Sequence, residues 1–395
     1  MHSGESKVED APRAKNFNVG YGKASVDSNK LLITNTSVVV PNSYEFLNAD
    51  DKKVRAGYFS HSALQTYRRC QKLYYHKYVL KVRKPRPSVK MWGGSAIHDT
   101  VEKLANSKIN NPQLAESIRA EALKSQRLAG KDRRISDVFT WGNVTGLSMT
   151  EQAAIDNMRN SYGDFTTSYE SEVALHKLEG GASPPAMSWG ARITSENEFL
   201  VMYDNAVRSY MNTEFILSKP KSTEDLIIYH LPLHKGGTVP IVGFIDAIEE
   251  TAFMDEYRKV STSGDSAEQK VLAKIDDGED MIVDHKCGSV LKTYEHARID
   301  QQLTLYSLAT GIKLVGFDNI KLGTTGGKNP KKAKPATVFK TFARRTEADY
   351  EKLTNDFNTI ITGITEGIFD KSGSCNSMVC SPTLCEYYGS KECFG

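Results

Sequence analysis

The chain predicts an α/β fold, with a central mixed sheet flanked by helices, a helical insertion and a cysteine-rich C-terminal tail. Three observations predict it. Apolar runs of strand length at 239–249 and 281–286 alternate with segments of helical period at 298–309 and 346–366. From residue 101 to about 211 the composition is helical throughout. Four of the six cysteines, at 375, 380, 385 and 393, fall in the last 21 residues, where the hydrophobic pattern fades.

Taken in order, residues 1–56 form a polar extension of mixed charge, in which Lys30-Leu-Leu-Ile-Thr and Ser37-Val-Val-Val-Pro41 are candidate short strands. Residues 57–99 are read as the N-terminal part of the catalytic unit. Tyr58-Phe-Ser60-His-Ser62-Ala-Leu64 opens a helix with a serine cap, and Leu64, Tyr67, Tyr74 and Tyr78 continue its apolar stripe, with Cys70 inside the helix. A basic link, Lys81-Val-Arg-Lys-Pro-Arg-Pro, leads to Trp92-Gly-Gly94-Ser-Ala-Ile-His98, which sets a histidine at the head of a helix over 99–105. Residues 100–212 are a helical insertion, a lid or a scaffold, with helices at 114–128, 150–162 and 196–210 broken by Gly180-Gly-Ala-Ser-Pro-Pro185.

Residues 213–345 carry the sheet. Strands are expected at 225–231, at 239–249 and from Ala273 or Met281 to Lys286, with a pair at 319–323 and 336–342 around a loop bearing Lys328, Lys331, Lys332 and Lys334. That loop is a solvated tip or a phosphate-tracking element. Residues 346–395 hold a last helix and the tail. Thr346 and Asp349 cap the helix, Tyr350, Leu353, Phe357, Ile360 and Ile364 form its buried stripe, and Gly367 ends it.

The chemistry concentrates in Met281-Ile-Val-Asp284-His-Lys286-Cys-Gly288. Residues two apart on a strand project to one side, so Asp284 and Lys286 share a small volume. Asp246 is a lone acid in an apolar strand, and burying it unpaired costs several kcal/mol, so it needs a cation, a lysine or hydrogen bonds. One divalent ion held by Asp246 and Asp284 answers for both. Gln302 and Tyr306 lie four apart on one helix face. Each feature has a plainer reading alone: a packed histidine, a salt bridge, a surface pair.

The net charge of +3 is too mild to argue for or against a nucleic-acid partner. No run of about 18 apolar residues exists to cross a bilayer, and no export signal is seen. A soluble protein of the cytoplasm, or of the host cytoplasm if viral, is expected. In that setting tail cysteines point to a metal or cluster before disulfides.

Gly94 to His98, Gly243 to Asp246, Asp284 to Lys286 and Gln302 to Tyr306 stand in the order G-x-x-x-H, G-x-x-D, D-x-K, Q-x-x-x-Y. The chain thereby resembles the RecB-type branch of the PD-(D/E)XK nuclease superfamily. The resemblance implies a restriction-endonuclease-like core. His98, Asp246, Asp284 and the His285 backbone carbonyl would hold Mg²⁺ or Mn²⁺, Lys286 would orient or deprotonate the attacking water, and Gln302 and Tyr306 would hold the lysine or the nucleic-acid strand. Glu224 lies near where relatives carry another acid.

The stretch Ser62-x-Leu64-x-x-Tyr67-x-x-Cys70 is similar to the first cysteine region of the iron-sulfur exonucleases, which include the CRISPR-associated adaptation exonucleases and the AddAB helicase-nucleases. Gln71 stands where many of these have proline, and the tail spacings are wider. The resemblance implies a structural [4Fe-4S] cluster on Cys70, Cys380, Cys385 and Cys393, with Cys375 as an alternate. Zinc on the four tail cysteines is the rival.

The function implied is a metal-dependent DNA exonuclease acting on single strands or duplex ends in recombination, repair or replication, alongside a replication or recombination protein. The compact layout fits phage origin. An endonuclease of the same fold, or a protein that binds without cleaving, are the alternatives. The chain carries no G-x-x-x-x-G-K-[ST] phosphate loop.

Overall fold

The structure is a computed structural model that describes residues 44–47, 53–56, 58–81, 89–129, 133–144, 150–178, 195–260, 266–325 and 333–369. The strands expected within 30–41, nearly all of the basic link, Lys328, Lys331, Lys332 and the four tail cysteines lie outside the described residues.

Two short strands, β1 (Tyr44–Leu47) and β2 (Lys53–Ala56), pair antiparallel ahead of the core. Strand β3 (Phe59–Ser60) leads into α1 (His61–Arg69), α2 (Gln71–Tyr74) and a π-helical turn over Tyr75–Val79. A helical layer follows: α3 (Val89–Ile109), α4 (Pro112–Ala129), α5 (Ile135–Val138), α6 (Glu151–Leu178), α7 (Glu196–Met211) and α8 (Glu214–Leu217). Then come β4 (Pro220–Pro232), β5 (Thr238–Glu250), α9 (Met254–Val260), α10 (Ser266–Leu272), β6 (Asp280–Gly288), α11 (Tyr294–Ile299) and α12 (Gln301–Thr310). Strands β7 (Leu314–Lys321), β8 (Thr337–Lys340) and β9 (Ala343–Arg344) and helix α13 (Glu347–Thr365) complete the described chain.

The main sheet has seven strands, in the order β3-β5-β6-β7-β8, with β4 on the other edge of β5 and β9 beside β7. It is mixed, as the sequence predicts. The pairs β3–β5 and β6–β7 are parallel and the other pairs antiparallel. On one face α1, α12 and α13 bury Leu64, Leu305 and Phe357 with Ile282 and Val315 of the sheet. On the other, α3, α4, α6 and α7 build a core around Phe199 and Tyr203 that reaches Ile320 of β7. The described helices between 100 and 212 thus pack as a layer on the sheet, and α3 runs unbroken past the boundary at residue 100.

Several local expectations are corrected. Cys70 lies at a break, not within one helix: its backbone is extended (φ −161°, ψ 110°), and its Sγ accepts the Leu73 N–H at 3.4 Å, capping α2. His98 lies in the middle of α3, since the helix begins ten residues earlier than the glycines suggest. Gly93 lies within this helix, and only a glycine fits there because a side chain would overlap the Tyr203 ring. Helix α6 continues past Tyr162 to Leu178, Ala273 belongs to the turn after α10, and β4 starts at Pro220, so Glu224 is inside a strand. The end of α13 is as read: Asp349 and Thr346 form a capping box, and Gly367 takes φ +72°.

Candidate active site

The site is a gap between strands. Pairing of β5 with β6 runs from Glu250–Asp280 to Ala247–Val283, and pairing with β3 takes up Ile241 and Val242 on the same edge. Gly243 to Asp246 therefore line an opening. The Tyr306 ring fills one end so closely that a Cβ on Gly243 would meet its Cε1 at 2.7 Å. At the other end Asp246 Oδ2 accepts the backbone N–H of His285 at 2.8 Å, a side chain standing in for the missing ladder bond. A strand residue sends its N–H and C=O out by the same edge, so the His285 carbonyl also faces the opening.

His98 reaches Asp246 from α3, its Nε2 2.7 Å from Oδ2. Its Nδ1 lies 3.9 Å from Glu224 Oε1. Thr223 pairs with Ala247 and Asp225 with Ile245, which sets Glu224 across from Asp246. Glu224 holds a left-handed backbone, φ +52°, that costs a non-glycine residue about 1–3 kcal/mol and concentrates at functional sites. One ligand atom each from His98, Glu224 and Asp246 lie within 4.8 Å of one another. Sequence reasoning left Glu224 out of the ligand set; the signal was an acid facing Asp246 in the register of the 225–231 strand, once that strand is begun earlier.

Asp284 and Lys286 share one face of β6 and form an ion pair, Asp284 buried and Lys286 part-exposed. Asp284 is not among the three atoms grouped at His98, Glu224 and Asp246; it is paired with Lys286 and feels the charge of Asp246. Gln302 donates to the Tyr306 hydroxyl at 2.8 Å, so this pair holds itself, while the lysine is held by Asp284. His61 on α1, overlooked in the sequence, lies near Lys286 and Asp300, and burial first, then Lys286 and Arg68, lower its pKa to about 4 against the pull of Asp300. Cys287 is half-buried and packs on the helical side, its thiol pushed up to about 12 by burial.

The electrostatics ask for a cation. Burial, then Asp246, raises Glu224 to about 7; burial, with Asp246 outweighing part of the pull of Lys286, raises Asp284 to about 6. Burial disfavours both charges of the His98–Asp246 pair, yet their attraction wins, lifting His98 to about 9 and taking Asp246 to about 2. Burial would lower Lys286 too, but Asp284 keeps it raised. Carboxylates driven toward protonation beside an imidazole are a donor set that hard divalent ions fit.

An acid-lined gap flanked by a charged lysine is the arrangement of a site suited to a divalent cation. A family model of the PD-(D/E)XK nuclease superfamily matches residues 58–259, just over half of the chain. The chain belongs to that superfamily, whose members cleave nucleic acid with Mg²⁺ or Mn²⁺. The match takes in His98, Glu224 and Asp246 and ends before Asp284. No curated protein matches the chain. Among the described residues no helix is long and apolar enough to cross a membrane.

Proposed function

We propose that this nuclease is a DNA exonuclease of the RecB-type branch, working on single strands or duplex ends in recombination, repair or replication. The observation that carries the reading is the gathering of His98, Asp246 and the Asp284–Lys286 pair, from motifs nearly 190 residues apart, around one break between strands.

His98, Glu224, Asp246, Asp284 and the His285 carbonyl would hold Mg²⁺ or Mn²⁺. An ion held by these residues would lower the pKa of a coordinated water and offset the negative charge of the phosphate. Lys286 is kept as an ammonium by Asp284, which suits it to orient the attacking water and offset growing charge rather than to accept a proton. The Gln302–Tyr306 pair closes the far end of the gap and would form the wall against which a nucleic-acid strand lies. The intact acids, lysine and histidine favour cleavage over binding alone.

A [4Fe-4S] cluster on Cys70 and tail cysteines is part of the proposal. Its support is Phe369, which stacks on Tyr74 with ring centroids 6.2 Å apart and planes at 6°, while Tyr67 donates to the Ile368 carbonyl at 2.6 Å. Residues 368 and 369 therefore lie against the helices that flank Cys70.

The test is a time course on end-labelled linear single- and double-stranded DNA, beside closed circles, with Mg²⁺, Mn²⁺ or EDTA. Metal-dependent release of short products from linear DNA alone supports the reading. Nicking of closed circles would replace it with an endonuclease, and no cleavage with any metal would leave a binding protein. A brown anaerobic preparation absorbing near about 400 nm marks the cluster; a colourless one containing zinc would assign the tail to that metal.

A further inference from the structure

His285, Asp318 and Lys340 are direct neighbours across three strands: His285 faces Asp318 in the β6–β7 pairing, and Asp318 faces Lys340 in the β7–β8 pairing. Their side chains form a buried row. His285 Nδ1 is 3.3 Å from Asp318 Oδ2, and Lys340 Nζ is 3.2 Å from Asp318 Oδ1. Lys340 also pairs with Glu249 of β5 and lies 3.8 Å from Glu214, which accepts the Tyr257 hydroxyl at 2.7 Å. Each of the three in the row is under a tenth exposed.

Stability alone does not account for the row, because well-packed apolar side chains of similar volume do as well or better than buried ions. What distinguishes the row is where it ends. The ring of His285 lies against Asp318, Nδ1 at 3.3 Å from Oδ2, and the peptide of His285 donates to Asp246, so that its carbonyl leaves by the same edge. Fixing the ring fixes the peptide.

We infer that Asp318, anchored by Lys340, is a positioning residue for cleavage: through the His285 ring it sets the angle of the peptide that orients Asp246 and presents a carbonyl to the divalent ion. The inference rests on the nuclease reading above. Partners that orient metal ligands are commonly worth about 10- to 100-fold in metal affinity.

The experiment is calorimetric titration of Mn²⁺ into full-length wild type, Asp318→Asn and His285→Phe, with melting temperatures taken without metal and cleavage of end-labelled single-stranded DNA followed across Mn²⁺ concentrations. Asp318→Asn leaves Lys340 two carboxylates, and His285→Phe keeps the ring volume, so one serves if the other does not fold. Mn²⁺ affinity falls about 10- to 100-fold in both variants, the metal-free melting temperature stays close to wild type, and saturating Mn²⁺ restores most of the rate. Unchanged Mn²⁺ affinity, or a rate loss that tracks a lower melting temperature and resists added Mn²⁺, overturns the inference. Wild type that binds Mn²⁺ and cleaves keeps the nuclease reading intact in either case; wild type that does neither removes both.

Discussion

The backbone N–H of His285 donates to Asp246 Oδ2 at 2.8 Å across the place where β5 and β6 stop pairing. That one oxygen also receives His98 Nε2 at 2.7 Å. Asp246 thus ties a helix on one side of the sheet to the strand that carries Asp284 and Lys286, and the lone acid in an apolar strand is explained. Two donors on one oxygen leave the other carboxylate oxygen for a further partner.

Removing either member of the Asp284–Lys286 pair separates chemistry from binding. Asp284→Asn and Lys286→Ala are expected to lower the single-turnover cleavage rate by about 10²–10³-fold, the scale of losing one charge-stabilising group. Affinity for single-stranded DNA, carried mostly by phosphate contacts elsewhere, changes by no more than about threefold in a gel-shift titration. Cleavage at near wild-type rate in both variants would remove this pair from the reaction.

Glu224 offers a prediction with opposite signs for stability and activity. Glycine adopts φ +52° without strain, and it also removes a half-buried carboxylate lifted toward neutral pKa. Glu224→Gly is expected to melt at or above the wild-type temperature while cleavage at limiting Mn²⁺ drops about 10-fold or more. A clear fall in melting temperature together with full activity contradicts a ligand held under strain.

How much of this was legible in the sequence follows from how local each signal is. Asp284 and Lys286 share a face by strand alternation alone, and Asp246 stands out because its neighbours are apolar. The cap and stop of α13 were equally local. Glu224 was legible only as an acid near the place where relatives carry another one; its place inside the strand was not, because no propensity foretells a left-handed glutamate there. The reason for Gly93 inside α3 is Tyr203, more than a hundred residues away, whose ring leaves no room for a side chain there. The row from His285 to Lys340 depends on the register of three strands, and nothing within about ten residues of any member encodes it. Cys70 looked helical because its flanks are; its extended backbone appears only once Sγ is seen capping the next helix.

The site also predicts how pH acts. In the metal-free protein Glu224, Asp284 and His98 all have folded pKa values above their unfolded ones, at about 7, about 6 and about 9. Each therefore binds protons more tightly when folded, and its contribution to stability is full below the unfolded value and lost as pH rises through the folded one. Asp246, lowered to about 2, contributes above its unfolded pKa and loses that only as pH falls through about 2. From mildly acidic to alkaline pH the metal-free protein is expected to melt progressively lower. A divalent cation takes the place of the bound protons, so the gain in melting temperature on adding Mn²⁺ grows between about pH 5.5 and 8.5. A gain that stays flat across that range would sink this account.

Gly243 tests the packing that shapes the gap. An alanine Cβ would sit 2.7 Å from Tyr306 Cε1 and 3.3 Å from its hydroxyl oxygen, and the ring is buried with little room to retreat. Overpacking of this kind costs about 1–3 kcal/mol, so Gly243→Ala is expected to unfold at lower urea with an unchanged slope. The displaced ring also loosens the Gln302 bond, which lowers cleavage beyond what the stability loss alone would do at saturating Mn²⁺. Trimming the ring decides the cause: adding Tyr306→Leu to Gly243→Ala should recover much of the lost stability while leaving activity low. If the double variant is no more stable than Gly243→Ala alone, the clash is not with Tyr306, and the wall of the gap is set by something else.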